Sequence, residues 1–108
     1  MSADTLAFWL GGRRPAPPQA LATRLGAIVG DEAGSPPATL ARLGAAVLGT
    51  VARAGEQGRR HALDLLAADA LVTYAFEAQA EADVRGLARL AERIDRDGRD
   101  GRDGRESA

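Results

Sequence analysis

Cysteine, lysine and asparagine are all missing from these 108 residues. Without cysteine there can be no disulfide, thiolate metal site, iron–sulfur cluster or cysteine nucleophile, and cysteine usage points to no redox compartment. Without lysine there can be no Schiff-base chemistry and no P-loop lysine. Lysine and asparagine are both specified by A/T-rich codons, so their joint loss beside abundant Ala and Gly reads as a G+C-rich genome. The fourteen basic residues, all Arg, follow from that bias and do not by their number point to phosphate recognition. Net charge is −1, so no global field draws in nucleic acid or an anionic membrane. Long apolar runs are also lacking. The early Leu6–Leu10 stretch is too short for a secretory h-region, and no uncharged stretch approaches bilayer length. A cytoplasmic protein with no cofactor and no metal is the expectation.

What is present is helix-forming. One domain is expected at this length, buried over about two-thirds of its unfolded surface. Residues 1–17 read as a short helix, Ser2 to Leu10, capped by Ser2 or Asp4 and stopped by Gly11-Gly12, followed by a Pro-rich linker. A bundle is expected over 18–94. Its first helix runs from Pro18 to about Val29, with Leu21, Leu25, Ile28 and Val29 on one face and Gly30 as C-cap. After a loop at Asp31–Pro37, Ser35-Pro36-Pro37 or Thr39 starts the next helix. There Leu40, Leu43, Gly44, Val47, Val51 and Ala54 recur at steps of three and four. Gly55–Gly58 is read as a break.

The segment His61–Ala82 has neither Gly nor Pro and is apolar on two sides, which predicts the central helix. One strip holds Leu63, Leu66, Ala67, Ala70, Leu71, Tyr74 and Ala78; a second holds Leu65, Val72 and Phe76. A helix apolar on so much of its girth is surrounded by neighbours or lies at a subunit interface. Asp83 caps or breaks it, and a last helix places Val84, Leu87, Leu90, Ala91 and Ile94 inward, with Arg85, Arg89, Glu92 and Arg93 facing water. From Asp95 to Ala108 the Arg-Asp-Gly triplet recurs with nothing to bury, the composition of a disordered tail. The fold class expected is therefore all-α, a small three- to four-helix bundle with a disordered C-terminal tail.

Few residues suggest chemistry. Asp69 is the one charge in the middle of the long helix, and it is expected to be accommodated by an ion pair with Arg42 or Arg53 or by an outward position. A buried carboxylate working as an acid, with His61 or Glu77, is the alternative. His61, the only histidine, could bond to Asp64 one turn on, but no Ser or Thr is placed as a nucleophile beside it. Glu77 and Glu81 lie one turn apart; lacking a Glu-x-x-His pair they are read as a solvated face, with Arg85 pairing Glu81. The tail misses the calcium-loop pattern, because Asp100 stands where the sharp turn requires Gly.

Five residues stand out as candidates for interaction: Phe8, Trp9, Gly44, Gly49 and Asp69. Phe8 and Trp9 belong to a segment that either folds back as a lid, through Leu6, Trp9 and Leu10, or docks on another protein. Gly44 and Gly49 allow close approach of a partner backbone, and with the second strip of the long helix they offer faces for self-association. A helix-turn-helix DNA reader is disfavoured, because Arg59-Arg60-His61 is followed by apolar residues. The run LLAADALVTYAFE resembles the helix that follows the first aspartate-rich motif in all-α isoprenoid synthases. The paired aspartates that hold magnesium diphosphate there are missing here, so no residue role carries over. A non-catalytic interaction or structural module, paired with itself or with another protein, is the expected function; a small helical enzyme or ligand-binding protein is the alternative.

Overall fold

The computed structural model describes residues 3–54 and 58–107, with side chains for 6–53 and 60–99. The expected caps at Ser2 and Asp4, the inward place of Ala54 and the break at residues 55–57 fall outside these. The fold is all-α. The helices are α1 (Ala3–Gly11), α2 (Gln19–Val29), α3 (Pro36–Ala54), α4 (Gly58–Asp83) and α5 (Leu87–Ser107), with a 3-10 turn at Val84–Gly86 between the last two.

Local chemistry sets most of these boundaries. Proline fixes φ and lacks an N–H, so it suits a first turn, where no intrahelical bond is lost. Pro18 accordingly precedes α2, and Pro36 and Pro37 open α3, three residues ahead of Thr39. The carbonyl of Ser35 accepts the Thr39 N–H at 2.9 Å, and the buried Thr39 hydroxyl donates back to the Ala33 carbonyl. Gly30 (φ 51°) and Gly34 (φ 113°) take the left-handed backbone on either side of this loop. At the other end Asp83 accepts the Arg85 N–H through Oδ1 at 3.1 Å and starts the 3-10 turn.

The core joins Leu6, Leu25, Val29, Leu40, Ala41, Leu43, Ala67, Leu71, Ala75 and Leu90. Burying each leucine contributes about 2–3 kcal/mol. α3, rather than α4, holds the middle: it packs along both α4 and α5, so its buried face is broad. Gly44 makes that possible, since a Cβ there would stand 3.0 Å from Val72 Cγ2 and 3.2 Å from Leu71 Cβ. α4 meets its neighbours through Ala67, Ala68, Leu71, Ala75 and Ala78. Leu66, expected on this inward strip, is instead 55 % exposed, because the alanines let α3 lie close on one side and leave nothing over the opposite one.

α5 carries on beyond Ile94 into the Arg-Asp-Gly repeat. Gly98 has no side chain, and its carbonyl comes within 3.8 Å of a Cβ built on Gly49. Asp95 also pairs with Arg99 one turn on. Side chains from Asp100 onward are outside the described residues.

Candidate functional site

The outward side of α4 carries the surface most unlike the rest of the molecule. Residues 62, 65, 66 and 69 follow steps of three and four, so they share one side of the helix, while Val72 and Phe76 continue the row but turn inward, Val72 toward Gly44 and Phe76 against the core. With Leu48 of α3, Ala62, Leu65, Leu66, Ala68 and Val72 line a groove of about 700 Å³. Leu65 and Leu48 are 46 % and 40 % exposed. Isolated surface leucines are ordinary, but contiguous ones mark a surface meant to be covered.

Asp69 is the only charge on this strip. It is exposed, it lines the groove, and it makes no ion pair or hydrogen bond among the described residues. Of the expected placements the outward one is found, and the buried carboxylate working as an acid is corrected. Its helical neighbours Leu65 and Leu66 face outward too, so apolar flanks do not imply burial here. Arg42, one proposed partner, pairs with Glu32 at 2.6 Å instead.

Catalytic partners are not brought together. His61 and Asp69 are eight residues apart on one helix, about 12 Å along its axis, and Glu77 lies about 12 Å further. Asp64 accepts from Arg24 of α2 at 2.7 Å rather than from His61. Among the described residues, no three His, Cys, Asp or Glu side chains stand close enough to hold a metal ion. No helix among them is long and apolar enough to cross a membrane.

A second cluster ties α1 to α4. Trp9 donates through Nε1 to Glu81 Oε1 at 3.0 Å and meets Tyr74 edge-on, with ring centroids 6.2 Å apart. Arg13 covers the indole, its Cζ 3.7 Å from the ring centroid, and pairs with Glu81 at 2.8 Å and Glu77 at 3.4 Å. The hydrogen bond from Arg13, then that from Trp9, holds the Glu81 carboxyl below its ordinary pKa. Burial, reinforced by the charge of Glu77, raises that of Tyr74. The pairing of Glu81 with Arg85 is thus corrected: Arg13 is nearer, while Arg85 turns to Asp83 at 3.2 Å. Nothing in local spacing links Arg13 to Glu81, 68 residues away.

The remaining candidates divide. Leu6 is buried and Trp9 and Leu10 pack against the core, the arrangement of a lid, whereas Phe8 on the other side of α1 is 84 % exposed. Gly44 and Gly49 are both used inside the chain, at the crossings of α3 with α4 and with α5. No known protein family, curated protein or solved structure matches this chain.

Proposed function

We propose that this chain is a non-catalytic interaction module that pairs with a second copy of itself through the outward strip of α4. The observation that carries the reading is the run of exposed leucines on that helix beside Leu48. The spacing of Ala62, Leu65, Leu66 and Asp69 is that of a helix–helix seam. The glycine faces of α3 are taken up within the chain, which leaves this strip as the self-association surface.

Asp69 selects the geometry. In a parallel, in-register pair the two Asp69 carboxylates would face each other across an apolar seam, with like charges repelling and both losing water. In an antiparallel pair about a two-fold axis between Leu65 and Leu66, each Asp69 falls opposite residue 62 of the other copy. There it stands beside Ala62 and apart from the like charge of the other Asp69. An antiparallel, isologous dimer is the consistent arrangement.

Sedimentation equilibrium at micromolar concentration tests this. The expected result is a monomer–dimer equilibrium that Leu65→Glu with Leu66→Glu weakens by about 100-fold or more, because a charged side chain in a dry seam is strongly disfavoured. Helical circular dichroism should be retained, since both leucines are exposed in the single chain. A wild-type chain that remains monomeric throughout sinks the reading.

A further inference from the structure

Where α4 turns into α5, a cleft of about 460 Å³ opens between Gln79, Asp83 and a row of arginines: Arg85, Arg89 and Arg93. These follow one another at intervals of four residues, which stacks three guanidinium groups along one side of the helix start. Like charges one turn apart repel, so the row costs stability unless something negative sits against it. Arg85 has Asp83, 3.2 Å away. Arg89 and Arg93 make no hydrogen bond or ion pair with any described residue. Elsewhere Arg13, Arg24, Arg42 and Arg99 each hold a carboxylate. Arg60 and Arg96 also hold no carboxylate among the described residues, and Arg14 bonds only backbone carbonyls, but Arg89 and Arg93 line one cleft together.

The rest of the lining does not neutralise them. Three arginines against one aspartate leave two positive charges. The Gln79 amide is turned away, donating to the Asp83 carbonyl at 2.7 Å. That turn depends on Gly86, where a Cβ would come within 2.6 Å of Gln79 Nε2. α5 begins at this cleft, so the positive end of its peptide dipoles adds to the same field. An arginine-rich composition says nothing about anions; two unpaired forks converging on one cleft do.

We infer that this cleft binds the phosphate group of a small phosphate monoester, with Arg89 and Arg93 as the principal donors and Arg85 beside them. A phosphate dianion matches the two uncompensated charges, and guanidinium forks match its oxygens in pairs. The volume admits a small organic portion besides the phosphate. The inference is independent of dimerisation, because its residues lie on α5, the 3-10 turn and the end of α4, away from Leu65 and Leu66.

The test is isothermal titration of the full chain at low ionic strength with inorganic phosphate, with phenyl phosphate and with vesicles containing phosphatidic acid. The expected result is saturable binding of both soluble phosphates, one per chain. Arg89→Gln with Arg93→Gln should weaken it about tenfold or more, as loss of charge-assisted hydrogen bonds requires. The melting temperature of the unliganded double variant should be unchanged or higher, because repulsion is relieved. No saturable binding, equal binding by the double variant, or binding to the vesicles without the soluble phosphates overturns the inference.

Discussion

At Gly44 one methyl group decides how near α3 can lie to α4. A Cβ there would be 3.3 Å from the Val72 backbone nitrogen as well as close to two side chains, and backbone cannot turn aside. Gly44→Ala gains about 1 kcal/mol of helix propensity but must push the helices apart, so a net loss of about 1–2 kcal/mol is expected in urea unfolding. Gly26 gives the opposite outcome. It lies within α2 with no atom within 4 Å of an added Cβ, so Gly26→Ala should stabilise by up to about 1 kcal/mol. Sequence spacing singled out Gly44 as a point of close approach but could not say whether the approaching backbone belonged to the same chain. Asp69 was ambiguous for a related reason: flanking alanines and leucines are the same whether a strip faces inward or outward.

Among the elements, α1 is the one held mainly by side chains. Leu6 anchors it in the core, and the Trp9–Arg13–Glu81 cluster fastens it to α4. Because Glu81 titrates below its usual 4.5 in the folded chain, its contribution is present at neutral pH and is lost as pH falls through that lowered value. Trp9 fluorescence should therefore shift to the red on acidification below about pH 4.5, ahead of global unfolding. Glu81→Gln should bring a similar shift to neutral pH, because the neutral amide no longer pairs with Arg13. A Trp9 signal that is flat until the whole chain unfolds would count against this. Periodicity and punctuation located α1 to α5, since Pro, Gly and apolar spacing act within a few residues. The clasp was not readable that way, because Arg13 and Glu81 meet only after the chain has folded back.

At the scale of the whole molecule, α3 is flanked by α4 and α5, and α4 keeps one flank open to solvent. A small domain gains stability from any partner that binds only its folded form. If a second copy covers the strip, the melting temperature should rise with protein concentration, and this rise should disappear in the Leu65→Glu, Leu66→Glu variant. Differential scanning calorimetry between about 5 and 500 μM checks it, and a melting temperature independent of concentration is the adverse outcome.

The amino-acid order alone determined the helical class, the order of the helices and their punctuation at Pro18, Gly30, Pro36 and Asp83, because capping, proline geometry and periodicity are local effects. Tertiary packing alone decided which side of α4 is covered, that Asp69 lies outside, that Glu81 belongs to Arg13, and that Arg89 and Arg93 share a cleft while pairing with no carboxylate among the described residues. Each of those depends on which helix lies across from which. A helix apolar on two sides carries no record of the side its neighbours will take.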